Sequence, residues 1–486
     1  MASVEMRVDL SHLIDTLVKG NHQDIIDAAR TYLLQKDEHV DASEAASVII
    51  GRVGMIAAHG DPDGHVIITL TAAAMLCRLL HWLPLPPDVA SEREYELALP
   101  LLAQALIIAA PAVKAGHGVQ PNYPDPFYPS ALPQGKTVND KMYEAVFNND
   151  ALLAERLLFG LYGTGADYRT MQVRPYEALA TTFQDAGHPL IFAVRGYQLL
   201  DTVEWGDRAP NIIHWLAPHL PLRPDANEPD WVDAVRNFAN DPAHNLSSLR
   251  TRLSAPKNEN ALPLRRVILS DADTPRICQA VYDALMTGGA SARAVGSVIA
   301  LSAADIMQMI DDDDHERFIR TAHGLLFSAA VRLVFEQTRE DVLVLPLLFT
   351  SAAYVNALHK EIAAHQTAQP ARMPSPMGGG GLIAASQLAT LRDQLAAHDL
   401  AGASVTARRY LRLGHDPRAL FGAIGIIAAR ADSSADQGHA LQIVQAAGEE
   451  YRAWPPSLAD TSIESFLQVA LRAAIFGKQD DLISQL

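Results

Sequence analysis

Apolar residues return every three to four positions along most of the chain, and the strict alternation of a half-buried strand is scarce. The run HQDIIDAARTYLLQ at 22–35 has this helical spacing, as do 43–58, 150–161, 276–287, 388–400 and 463–475. Asp41-Ala42-Ser43-Glu44 offers an N-cap with an acid three positions on, and Thr461-Ser462-Ile463-Glu464 offers another. The pattern predicts an all-α chain.

Three stretches interrupt it. Residues 116–136, GHGVQPNYPDPFYPSALPQGK, carry too many prolines for a helix, and Tyr123, Phe127 and Tyr128 predict an ordered loop that covers them. Residues 366–381, QTAQPARMPSPMGGGG, read as a flexible linker or a lid. Pro, Asp and Asn crowd a zone near 219–265. These breaks predict a first helical half at 1–220, an irregular connection at 221–265 and a second half at 266–486.

The halves echo each other. Gly64-His65 opens an apolar run that His315 repeats 250 residues later, and Gly187-His188 is matched by Gly438-His439 at an offset of 251. Leu99-Pro100-Leu101-Leu102 leads to Lys114, and Leu345-Pro346-Leu347-Leu348 leads to Lys360, an offset of 246. The expectation is an internally duplicated helical bundle with pseudo-two-fold related halves. Stacked helix pairs can produce such self-similarity without any chemistry.

Composition narrows the class. With 49% hydrophobic and 20% charged residues over 486 positions, the chain can bury a large core. A formal net charge of -17 without a dense Lys/Arg tract disfavours nucleic acid and anionic membranes as partners. The apolar stretches 66–80 and 100–113 are shorter than a membrane span and predict buried helices. The start, Met1-Ala2-Ser3-Val4-Glu5, shows no basic segment followed by an apolar run, so no signal peptide is expected. Cys77 and Cys278 predict two buried thiols in a reducing, cytoplasmic setting.

The candidate chemistry lies in the histidines. A neutral imidazole ligates Zn or Fe through one nitrogen, and its other nitrogen needs an acceptor behind it. His65, His188, His315 and His439 each open the second helix of a repeat unit, with acids close by: Asp61 and Asp63, Asp185, Asp311 to Asp314, and Asp432 and Asp436. Each could equally be a capping or solvated residue. His323 lies eight residues after His315, roughly 12 Å along a helix, and either could be the fourth ligand. Lys360, in VNALHKEIAAH, must snorkel, pair with a carboxylate or lower its pKa; a general base or a carbamylated ligand are the sharper options. Arg195 and Tyr197 follow His188 and could hydrogen-bond an oxygenated substrate or simply pack in the core. Trp205, Trp215 and the aromatics at 123–128 could line an apolar pocket or seal the core. No Gly-rich phosphate loop, G-x-S-x-G or CxxC is present.

GHPLIFAVRGYQLL at 187–200, HERFIRTAHGLLFSAAVRL at 315–333 and the NALHKE segment resemble the questin oxidase-like family. GHALQIVQAAGEEY at 438–451 is similar to helical regions attached to Rieske-type proteins, although the Rieske Cys/His module is lacking. Phe192 stands where the family run continues with a second histidine. The resemblance implies a mostly helical, metal-dependent oxidase or oxygenase acting on polycyclic aromatic ketones such as anthraquinones. On that reading Fe2+ is held by His65, His188, His439 and either His315 or His323. Lys360 is ligand or base, and Arg195 and Tyr197 serve the reaction. The partners are a small apolar or aromatic substrate and O2, and a homo-oligomer could cover apolar helical faces. A Zn2+-dependent hydrolase and a non-catalytic helical scaffold are the alternatives.

Overall fold

Many of the helices begin at a polar side chain or a glycine that stops the preceding turn. Asp41 accepts from the Ser43 amide at 2.7 Å and starts Ala42–Ala57. Asn21 and Asp24 bond each other's main chain in a full capping box ahead of His22–Leu34. The expected box at Thr461 is absent: Glu464–Ala474 starts at Ile463 without a side-chain cap, because Glu464 is drawn to Arg408. The run 388–400 is not one helix. Ala384–Ala396 stops at His398, whose φ is +56°, and Asp399 caps Leu400–Arg412.

The computed structural model describes residues 9–35, 40–84, 94–166, 168–203, 205–224, 228–244, 246, 261–338, 342–365, 383–431, 436–458, 461–476 and 482–486. Among the described residues the fold is a multi-helix, all-α bundle without a β-sheet. Four helices form an inner ring: His65–Leu80, His188–Leu200, His315–Gln337 and His439–Ala453. They are called here the His65, His188, His323 and His439 helices, after the histidines that meet. The first packs on the second, the second on the third, the third on the fourth, and the fourth returns to the first.

Outer helices cover this ring. Ala42–Ala57 and Glu94–Gly116 lie on the His65 helix, and Tyr168–Leu179 and Ala209–Leu216 on the His188 helix. Ala292–Met307 and Pro346–Ala364 flank the His323 helix, while Pro417–Ala428 and Glu464–Ala474 pack on the His439 helix. A helix enclosed in this way is buried on most faces, and Arg195, Arg332, Gln442 and Glu450 are buried together with the apolar side chains. One continuous core runs from Leu13 to Phe476.

Three sequence expectations change. Within the stretch read as irregular at 221–265, Asp230–Asn240 is a helix, its Val232, Val235 and Phe238 buried. The loop at 116–136 is ordered against Ala151–Gly163: the Phe127 amide donates to the Arg156 carbonyl at 2.8 Å, and Arg156 Nε donates to the Asp125 carbonyl at 2.9 Å. Tyr123 and Tyr128 still keep 37% and 42% of their surface exposed, so the loop covers them only in part. By length and composition, Tyr95–Gly116, His315–Gln337 and Val342–Ala364 could each cross a membrane, so the run at 100–113 belongs to a longer helix than expected, while His65–Leu80 stays shorter than a span. Other helices bury 67%, 78% and 83% of those windows, and that burial accounts for their composition. Cys77 and Cys278 are free and buried. The linker at 366–381 lies outside the described residues.

Candidate metal centre

Three inner helices start in the same way. Gly64, Gly187 and Gly438 are N-caps with φ of +80°, +87° and +76°, and the next residue is the histidine. A side chain would be strained at these angles and would also collide. A Cβ on Gly64 would stand 2.7 Å from Phe192, one on Gly187 2.3 Å from Phe327, and one on Gly438 2.3 Å from Thr69. Each contacted residue lies four positions after the next ring histidine. The glycines thus let the helix starts approach closely enough for the imidazoles to meet.

The fourth imidazole comes from mid-helix. His323 enters the ring from the third turn of its helix, whereas His315, at the helix start, packs on Phe476 at 4.1 Å between centroids. The rings meet in a cycle. Centroids are 4.9 Å apart for His65 and His188, 5.0 Å for His188 and His323, 4.9 Å for His323 and His439, and 5.9 Å for His439 and His65. His188 and His439 are 5% and 4% exposed.

Every one of the four rings has its Nδ1 on a main-chain carbonyl. His65 reaches Asp63 at 3.1 Å, His188 reaches Asp185 at 2.5 Å, His439 reaches Asp436 at 2.5 Å, and His323 reaches Ile319 at 3.1 Å. A carbonyl oxygen only accepts, so each Nδ1 carries the proton and each Nε2 keeps a free lone pair. His323 Nε2 and His439 Nε2 stand 3.2 Å apart. A hydrogen bond across that gap would require a doubly protonated ring. Burial, followed by the neighbouring imidazoles, holds His323 down to about 3. Burial likewise takes His439 to about 4 and lowers His65. Two lone pairs at this separation repel unless a cation lies between them.

Among the described residues, no three or more His, Cys, Asp or Glu side chains stand close enough, as placed, to hold a metal ion. The shortfall is small. Imidazoles on one ion, with metal–nitrogen distances of about 2.0–2.1 Å, would bring adjacent centroids to about 4.5–5.2 Å. Three of the four spacings fall in that interval, and the His65–His439 pair is slightly wide. By ring spacing alone the four histidines come near what one ion would need, with the His65–His439 pair the farthest from it.

Carboxylates offset the positive ends of the three helices that start at this site. Asp61 accepts from the Ile67 amide at 3.0 Å, and Asp436 accepts from Gly438 and Ala440 at 2.8 and 2.9 Å. Burial pushes the Asp61 carboxyl up to about 6 although the amides of Ile67, Val66 and Gly64 and the Trp215 side chain pull it down. Asp185 accepts from Arg223 at 2.8 Å and lies 3.7 Å from His188, which hold it at about 2.

Farther along the same interior is a buried ionic cluster, roughly 10–16 Å from the histidines along the helix axes. Arg195 donates to Glu449 at 2.9 Å and to Gln198 at 2.6 Å. Arg332 joins Glu450 at 2.5 Å and Glu336 at 2.7 Å. Burial pushes Glu450 up to about 7, while the nearby guanidiniums hold Glu449 below its usual value.

Several sequence-predicted residues thus stand apart from the ring. His315 is on Phe476, so His323 takes the fourth place. Lys360 Nζ donates to the Ala272 carbonyl at 2.6 Å and is a tie between Pro346–Ala364 and the turn at Ala272, not a ligand in this arrangement. Arg195 is in the deeper cluster. Tyr197 is buried with its ring stacked on Trp205 at 5.5 Å and its hydroxyl unbonded. Trp215 sits near the ring through Phe192 at 5.8 Å, whereas Tyr123 packs on Phe159 and His214.

Sequence reasoning missed His219, which packs on Phe192 at 4.8 Å and is held at about 4, chiefly by burial. It also missed Glu449, Glu450 and Arg332. Adjacent acids, and an arginine, inside otherwise apolar helices were the available signals. Comparison of the chain with protein-family models, with curated proteins and with solved structures gives no match.

Proposed function

We propose that this chain is a metal-dependent enzyme, a non-haem iron oxidase or oxygenase, with its metal held by Nε2 of His65, His188, His323 and His439. The observation that carries the reading is the shared tautomer: four Nδ1 atoms are committed to carbonyls, so each ring of the cycle keeps an unprotonated Nε2, and those of His323 and His439 face each other at 3.2 Å. Imidazole donors suit Fe2+ and Zn2+ alike. Four of them complete a tetrahedral zinc site, which is then structural, whereas a zinc hydrolase needs one position free. A metal that accepts more ligands retains room for a substrate, and this favours iron. Bound there, iron would supply activation of O2.

The chain's own residues orient and shield. The carbonyls of Asp63, Asp185, Ile319 and Asp436 fix the ring planes. Phe192, Trp215 and His219 line one flank, and Phe327, packed on Phe183 and Tyr354, extends a second aromatic cluster behind His323. Such walls suit an apolar, aromatic substrate and exclude water. The redox chemistry and the polycyclic ketone substrate rest on the resemblance of the short runs to the questin oxidase-like family. We also read the recurring Gly-His helix starts, each pressed on the residue four past the next histidine, as the trace of an internal duplication.

The test is O2 uptake by protein loaded anaerobically with Fe2+, given an anthraquinone-type ketone and reduced nicotinamide as electron donor. Uptake that depends on the ketone, and is absent from the zinc-loaded protein and from His323→Ala, supports the reading. Iron bound at the four histidines with no ketone-dependent uptake would overturn the oxygenase and leave a metal site of another use.

A further inference from the structure

A second site lies at the far end of the bundle. Leu80 closes the helix that His65 opens, fifteen residues or roughly 22 Å away. Beyond it is a cavity of about 420 Å³ between Glu94–Gly116, Ala384–Ala396 and Pro417–Ala428. That volume lies within the usual range for a small-molecule pocket. Its walls are apolar, with Leu83, Pro100, Leu388 and Ile426 among them, and two guanidiniums, Arg392 and Arg430, share its lining.

Both arginines are half-buried, and neither forms an ion pair or side-chain hydrogen bond with a described residue. Arg430 Nε is fully enclosed without an acceptor. Burial lowers both guanidiniums, and Arg392 lowers Arg430 further because two like charges share the space. Asp393 offsets this only at longer range, and Glu96 is the one carboxylate side chain in the lining. Two partly desolvated cations that share a cavity are unfavourable until an anion joins them. A guanidinium pair is suited to the planar oxygens of a carboxylate or to a phosphate.

We propose that this pocket binds an anionic amphiphile, its carboxylate or phosphate on Arg392 and Arg430 and its apolar body against Leu83, Leu388 and Ile426. The head group could belong to a free acid or to a membrane lipid. Titration calorimetry with decanoate below its micelle concentration, with decanol as the uncharged control, tests the first source. Flotation with phosphatidylglycerol vesicles tests the second.

The expected result is one decanoate per chain, bound at least roughly tenfold more weakly by Arg392→Gln/Arg430→Gln and more weakly as decanol. A second variant, Ala389→Trp, fills the cavity while keeping both charges and should also abolish uptake. Vesicle binding that is lost in both variants, without uptake of free decanoate, supports the site and assigns its head group to a lipid. Binding of either probe that survives both variants, or no binding by folded wild type, overturns the proposal. The histidine centre is not involved, so metal content stays unchanged in either variant.

Discussion

A buried histidine is defined by what its second nitrogen does. In all four ring histidines Nδ1 is spent on the main chain, and the consequence is an unprotonated Nε2 on each ring. The glycines ahead of them are equally specific. Gly187→Ala adds a methyl at φ +87° and 2.3 Å from Phe327, so it should cost roughly 3 kcal/mol or more. Gly118 has φ +77° with no atom within 4 Å, so Gly118→Ala should cost only about 1 kcal/mol. Urea midpoints of the two variants check the difference, and equal losses would remove the close-approach argument. The Gly-His pairs were legible because a recurring dipeptide marks three helix starts. His323 was not, because the choice over His315 depends on which ring finds Phe476, a contact between helices far apart in sequence.

At the scale of elements, ion pairs tie the inner helices together below the histidines. Arg195 joins the His188 helix to the His439 helix through Glu449. Arg195→Met alone strands a buried carboxylate and should cost about 3–5 kcal/mol, while Arg195→Met with Glu449→Met should recover most of it. A double-mutant cycle reads the coupling; additive losses would mean that the pair holds nothing. Glu450 predicts a pH dependence. Its folded-state value near 7 exceeds its ordinary value of 4.5, so the folded chain binds the extra proton. Its stability contribution is present below pH 4.5 and is lost as pH rises through 7. From pH 5 to pH 8 wild type should therefore fall relative to Glu450→Gln, by roughly 3 kcal/mol at most. Denaturant unfolding at the two pH values tests this, and a constant difference would contradict it. Helix lengths were mostly readable from local pattern, whereas of the two expected caps only the N-cap at Asp41 forms. The break at His398 and the helix at Asp230–Asn240 were not readable, since the one rests on a left-handed turn and the other on burial of a single apolar stripe.

Over the whole molecule, the all-α class follows from apolar spacing, but the closure of four helices into a ring does not. That closure is made by contacts such as Thr69 with Gln442, at 2.9 Å between side chains 373 residues apart. It turns four scattered histidines into one site and puts the cavity of Arg392 and Arg430 at the opposite end of the His65 helix. If the ring holds a metal, binding should also stabilise the fold by mass action, about 2.7 kcal/mol at a hundredfold excess over the dissociation constant. Unfolding with and without Fe2+ would show it, and His323→Ala should not respond.

Elemental analysis of untagged protein, wild type beside His188→Ala/His439→Ala, bears most directly on the centre. The account predicts about one metal ion per wild-type chain, with iron favoured, and its loss from a variant that keeps its helical spectrum. Wild-type protein that takes up neither iron nor zinc after anaerobic incubation, or a folded variant that retains the metal, would contradict it.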